Sequence, residues 1–179
     1  MMKNIAFWSS TPQQGKTTVA RFLANNYDYV KISFAEPMRF MLERLLIAAG
    51  CSKPEALYFA NEGKEQNIEV LGTSFRKLAR TLGTEWGRTC IHEDLWVRIA
   101  ESKISRLHSP MCVDDMRFPN ELEMLKRKGF LLVKIERDNL RMDGHSSDTA
   151  LRDFAGWHHV IKNNGSLEQL FSQVVDLVK

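Results

Sequence analysis

The sequence predicts an α/β fold with a parallel sheet, and three observations carry that prediction. The apolar run Ile5, Ala6, Phe7, Trp8 leads into Ser-Thr-Pro-Gln-Gln-Gly-Lys-Thr-Thr at residues 10–18 and then into a helix-compatible segment. Beyond it, strand-like and helix-like patterns alternate along the chain. Residues 111–136 form a complete strand, helix, strand unit, for which a right-handed crossover is expected. Five parallel strands are counted in all, without an internal repeat or a linker.

The loop at residues 10–18 is placed to bind phosphate. A helix that begins at Gly15 or Lys16 turns its unpaired N–H groups and the positive end of its dipole into the loop, which suits a polyanion. Lys16 adds a charge near the β and γ phosphates, and the Thr17 hydroxyl offers one ligand to Mg²⁺. The pattern departs from GxxxxGK[ST] at its first position, where Ser10 replaces glycine. Because Ser10 lacks glycine's freedom, a different loop entry is expected.

Composition sets the limits. The 179 residues fit one domain with a substantial core, and 44% hydrophobic with 26% charged residues excludes a disordered or collagen-like chain. A net charge of +3 suits an anionic small molecule and is too weak to argue for a nucleic acid polymer. Cys51, Cys90 and Cys112 are far apart and lack a CxxC pattern or a His partner, so they read as reduced, mostly buried thiols of a cytoplasmic protein. No apolar run approaches a membrane span, and no membrane partner is expected.

After the first helix, residues 29–34 alternate as a strand, and Pro37 opens a helix that stops at Gly50. Residues 51–73, with Pro54, Gly63 and Gly72, read as the least regular part, either a solvated connection or a flap. Ser74 caps a helix whose apolar face is Phe75, Leu78, Ala79 and Leu82. Arg76 and Arg80 share another face, either a solvated basic face or a grip on one phosphate from two turns. In Leu-Gly-Thr-Glu-Trp-Gly-Arg, residues 82–88, two glycines bracket Thr84 and Glu85 and leave room for a ligand at the backbone, while Arg88 adds a cation.

A helix over residues 95–107 follows, then a short strand at 111–113 that ends in Asp114 and Asp115. An aspartate at the carboxyl end of a buried parallel strand lies beside the ligand crevice, where it can hold Mg²⁺ directly or through water. Proline at 119, acids in the first turn, lysines in the last and Gly129 delimit the next helix, and a strand at 130–136 follows. Residues 137–153 are charged and poor in apolar side chains, either a surface excursion or a lid whose arginines reach phosphates on closure. His145 there reads as a structural or orienting group. A strand at 158–162, a turn at Asn163-Asn164-Gly165 and a helix with a Ser166/Gln169 capping box end the chain.

Taken together, the loop ending at Thr17, Ser-Phe-Ala-Glu-Pro at 33–37, LGTEWGR at 82–88, DMRFPNE at 115–121 and DGHSSD at 143–148 resemble the bacteriophage deoxynucleoside monophosphate kinases, a branch of the P-loop nucleotide kinases. They span nearly the whole chain in the family's order, and DMRFPNE with LGTEWGR is the specific part. Ser10 departs from that family's loop, and Asp148 stands where it usually has glutamate. The resemblance implies a three-layer, nucleoside monophosphate kinase-like fold with a five-stranded parallel sheet of order 2-3-1-4-5. A helical acceptor-binding insertion at about 51–108 and a lid at about 137–153 belong to a single domain over 1–179.

It implies transfer of the γ-phosphoryl group of ATP to a deoxynucleoside 5′-monophosphate (dNMP). Gln13, Gln14, Gly15, Lys16, Thr17 and Thr18 would hold ATP, and Thr17 with Asp115 would hold Mg²⁺. Arg39, Arg76, Arg80, Arg88 and Arg117 would bind the acceptor, with Thr84 and Glu85 near its sugar or base, and Arg137 and Arg141 would act on the migrating phosphoryl. Family members can be dimers, and a phage-encoded chain would act in the cytoplasm of the infected host. Trp86, Phe75 and Trp96 are candidates for a base-stacking pocket and equally for core. Two other readings stay open: a P-loop kinase of the phosphomevalonate or dephospho-coenzyme A type, and an ATP-dependent switch that moves a partner.

Overall fold

The computed structural model describes residues 2–138 and 150–179. Two compact units emerge, one of residues 1–33 with 100–179, the other of residues 34–99.

The first unit is organised by its sheet. All four residues of β1 (Ile5–Trp8) are buried, because a parallel strand covered on both faces reads as an unbroken apolar run. It lies between β5 (Met111–Val113) and β6 (Leu131–Glu136), with Ile5 opposite both Cys112 and Leu131. The outer strands are β2 (Val30–Ile32), on β5, and β7 (His159–Lys162), on β6. Every pairing is parallel, and the order is β2-β5-β1-β6-β7. Numbered among themselves, these five strands run 2-3-1-4-5, the expected order.

The helix α1 (Lys16–Asn26) buries Val19, Ala20 and Leu23. At the end of the chain, α7 (Leu167–Val178) buries Leu170, Val174 and Val178, and both helices join one core with Ile5, Phe7, Val133, Ile135 and Ile161. The expected capping box forms: Ser166 Oγ accepts from Gln169 N at 3.3 Å, and Gln169 Oε1 accepts from Ser166 N at 3.0 Å. Helix α6 (Pro119–Arg127) connects β5 to β6. Buried Glu121 caps it by accepting from the N–H groups of Arg117 at 2.7 Å and Phe118 at 3.1 Å.

The second unit is helical. Its core is Leu42, Leu46, Ala56, Ala60, Ile68 and Phe75. Helix α2 (Glu36–Ala48) has Pro37 in its first turn and ends before Gly50, whose φ of 103° suits glycine. The stretch read as irregular begins instead with a helix, α3 (Lys53–Asn61). Ser52 Oγ accepts from Glu55 N while the Glu55 carboxylate takes Ser52 N at 2.7 Å. Pro54 lies in the first turn, where its missing N–H costs nothing. Two-residue strands β3 (Asn67–Ile68) and β4 (Thr73–Ser74) then pair antiparallel, a feature without a sequence signal of its own.

From α4 (Phe75–Arg80) the chain continues as a π-helix over Thr81–Ile91, so LGTEWGR is helical. Here the sequence reading is corrected, because the room left by the two glycines is taken by side chains. A Cβ on Gly87 would stand 2.6 Å from the Trp96 indole, and one on Gly83 2.9 Å from Met38 Sδ. The Gly83 carbonyl accepts the Trp96 Nε1–H at 2.8 Å. Helix α5 (Leu95–Ile104) follows. The three cysteines are free thiols, but only Cys112 is buried; Cys51 is half-buried, and Cys90, on an outward-facing position of the π-helix, is exposed.

Candidate functional site

The loop between β1 and α1 is held from within. Buried Ser9 donates its hydroxyl to the Thr11 carbonyl at 2.7 Å and accepts from the Lys16 ammonium. Buried Gln14 donates through Nε2 to Thr11 Oγ1 at 2.6 Å and to Ser10 Oγ at 3.5 Å. The positive φ values fall at Gln13 (62°) and Gly15 (107°), and Ser10 has none. Glycine's freedom is therefore not needed at the loop entry, and serine fits there. Gly15 is the N-cap of α1, whose first turn has no side-chain cap among the described residues. The N–H groups of Thr17 and Thr18 thus lie outside the helix's own ladder, as an anion site requires. Gln13, Thr17 and Thr18 are exposed, and Lys16 is half-buried.

At the ends of β5 and β2, the two aspartates are separated by their partners. Asp114 is buried and ion-paired with Lys31 at 2.9 Å. Asp115 is half-buried and accepts the Ser33 hydroxyl at 2.6 Å. Arg117 follows with an exposed side chain. Arg137 is also exposed, one residue past Glu136, whose carboxylate is held below the usual range by Lys134, 2.6 Å away, and by Lys162.

Two of the groups that organise this region carry no functional signal in the sequence. Ser9 was masked by its place at the end of an apolar run, and Asn163 read only as a turn residue. In the structure Asn163 Nδ2 donates to the Gln14 carbonyl at 2.9 Å.

In the helical unit, Arg76, Arg80, Thr84 and Arg88 recur every fourth residue along α4 and the π-helix, the spacing of side-chain neighbours. Arg76 and Arg80 are exposed, and Arg76 pairs with exposed Glu65. Half-buried Arg88 donates Nη1 to the Glu93 carbonyl at 3.1 Å. Arg39 on α2, Thr84 and Glu85 are exposed. Of the three aromatic candidates, Phe75 and Trp96 belong to the core at 3% and 5% exposure, and Trp86 is 40% exposed. Arg141, His145 and Asp148 lie outside the described residues. No helix among the described residues is long and apolar enough to cross a membrane.

Comparison with known proteins identifies the family. A family model described as deoxynucleotide monophosphate kinase matches residues 55–174, more than half of the chain. A putative deoxynucleotide monophosphate kinase of Acanthamoeba polyphaga mimivirus is 28% identical over 92% of this chain and 90% of its own. A deoxynucleoside-5′-monophosphate kinase of Escherichia phage T5 is 39% identical over 72 residues, 40% of this chain and 29% of that protein. The solved structure of TT1252 from Thermus thermophilus aligns over the full length of both chains at 18% identity and a TM-score of 0.45, too distant to add to the family match.

Proposed function

We infer, from the premise that this chain belongs to the deoxynucleotide monophosphate kinase family, that it transfers the γ-phosphoryl group of ATP to a deoxynucleoside 5′-monophosphate and releases ADP and the diphosphate. The observation that carries this reading is the division of the candidate groups by type. An uncapped helix N-terminus with Lys16 stands in one unit, and a row of arginines unneeded for simple ATP hydrolysis stands in the other.

We assign ATP to residues 13–18, with Lys16 on the β and γ phosphates. The donors suit Mg²⁺, which prefers hard oxygens and keeps part of its water shell. The Thr17 hydroxyl and the Asp115 carboxylate are the groups assigned to it, because Asp114 is buried against Lys31. When bound with ATP, Mg²⁺ would supply positive charge that offsets the charge of the phosphates. The acceptor phosphate is assigned to Arg39, Arg76, Arg80, Arg88 and Arg117. Its sugar or base is assigned to Thr84 and Glu85, with Trp86 the one exposed ring of the three aromatic candidates. Arg137 and Arg141 are assigned to the charge on the migrating group.

Such a transfer has a loose transition state with charge spread over the equatorial oxygens. Cations and positioning therefore do most of the catalysis, and an inventory rich in arginine and short of bases fits. The Arg76 ion pair with Glu65 is exposed on both sides and costs little to open, so it does not compete strongly with a phosphate. The test is the acceptor. Turnover confined to reactions containing a dNMP supports this reading. Equal ADP release without acceptor would favour the switch, and activity on phosphorylated acceptors that lack a base would favour another small-molecule kinase.

A further inference from the structure

The turn after β7 joins two parts of the first unit that the chain keeps far apart. Asn163 is half-buried; its backbone N–H donates to the Glu136 carbonyl at 2.7 Å, and its side chain donates to the Gln14 carbonyl at 2.9 Å. It is packed so tightly on the phosphate loop that a Cβ on Gly15 would come within 2.7 Å of its Nδ2. Its neighbour turns the other way. Asn164 Oδ1 accepts from Asp138 N at 2.9 Å, and Asn164 Nδ2 donates to Asp138 Oδ2 at 2.7 Å. These two bonds fix the backbone immediately after Arg137.

We propose that Asn163 and Asn164 are paired positioning residues for phosphoryl transfer. Asn163 sets the curvature of the loop at Gln14 and Gly15, and Asn164 sets the chain that carries Arg137. The inference rests on the reading of residues 13–18 as the ATP site. An amide suits both positions. Asn163 must donate to a carbonyl, which a carboxylate cannot do, and Asn164 must accept from a backbone N–H and donate to a carboxylate at once. Because the two are consecutive, a shift in one alters the other's reach. Loop and arginine are thereby held in one frame.

The test uses the full chain, with Mg-ATP binding measured by calorimetry and steady-state kinetics measured in ATP and in a dNMP the wild type accepts. Asn163→Ala should weaken Mg-ATP binding about tenfold and raise KM for ATP in step, with KM for the dNMP unchanged, since one oriented, partly buried hydrogen bond to the loop backbone is lost. If that variant melts below the assay temperature, Asn163→Asp answers the same question, because it keeps the size and removes the donor. Asn164→Asp should lower kcat about fivefold by setting two carboxylates together, and adding Asp138→Asn should restore it, since the carboxylate at 164 still accepts from the backbone N–H of residue 138 and the side-chain bond is rebuilt with donor and acceptor reversed.

A purely structural role would not split the two KM values or be rescued by the exchange. Unchanged Mg-ATP binding in a folded Asn163 variant would overturn the proposal, as would a paired exchange no better than Asn164→Asp alone. A wild-type protein that binds no Mg-ATP would overturn the reading of the loop and this inference with it. Binding in the wild type with an indifferent Asn163 variant would overturn the inference alone.

Discussion

In the sheet unit, the polar groups beside the loop and at the start of α6 are buried and hydrogen-bonded, mostly to near neighbours in sequence. Ser9 donates to the Thr11 carbonyl, Gln14 Nε2 donates to Thr11 Oγ1, Asn163 reaches across from a distant turn to the Gln14 carbonyl, and Glu121 holds the N–H groups of Arg117 and Phe118. In the helical unit, by contrast, Arg39, Arg76, Arg80, Thr84 and Glu85 are exposed, and what is buried beneath the π-helix is apolar packing such as Trp96 on Gly87. The difference matches the two tasks proposed for these residues. A triphosphate cradle made of backbone N–H groups works only if its backbone is fixed in advance. A phosphate gripped by long arginine side chains tolerates freedom until it arrives.

Lys16 should show the largest effect. Lys16→Ala should lower kcat by on the order of 10³-fold, because a preorganised charge at the transferring group is lost. Thermal melting close to that of the wild type should accompany it, and a folded variant that stays active would remove the loop from the chemistry. The next effect belongs to the other unit. Arg80→Ala should raise KM for the dNMP by about tenfold or more and leave KM for ATP alone, the mirror image of the Asn163 variants. A change in KM for ATP instead would show that the two sets of cations do not divide the substrates.

A sharper comparison lies within the π-helix, between its two glycines. Gly87→Ala drives a methyl into the rigid indole of Trp96 and should destabilise by about 1–3 kcal/mol in denaturant melts. Gly83→Ala meets Met38, whose flexible thioether can give way, and should cost less than about 1 kcal/mol. Equal losses would contradict the packing described for this segment.

The smallest effect is alkaline. Burial pushes the Tyr29 hydroxyl up from 10.0 to about 12, with Cys112 adding to the rise, and burial followed by the Asp114 charge pushes the Cys112 thiol up from 9.0 to about 12. Both groups are neutral when protonated, so their contribution is intact below the unfolded values. It is lost as pH rises from about 9 toward 12, where the unfolded chain releases protons that the folded chain retains. Melting temperature should therefore fall over that range, and less so in Cys112→Ala once its lower starting stability is subtracted. A flat profile would contradict the burial of both groups.

Much of this was legible in the sequence because it depends on local pattern. Ile5 to Trp8 before a Gly-Lys-Thr helix start, the proline and acids that open α6, and the Ser166/Gln169 box each declare an element within a few residues. Helix α3 was missed although Ser52 and Glu55 carry its cap, because Pro54 reads as a breaker unless it is placed in the first turn. The π-helix was not legible, because its glycines signal turns and their actual partners, Met38 and Trp96, are distant in sequence. The same limit hid Asn163, whose role exists only through a bond to residue 14, 149 positions away.

The measurement that tests the central claim most directly is ADP release with Mg-ATP across a panel of deoxynucleoside and ribonucleoside monophosphates, with a control lacking acceptor. Rapid turnover is expected with a subset of the deoxynucleotides and little in the control. ADP formed at the same rate without acceptor, or not formed with any of them, would contradict that claim.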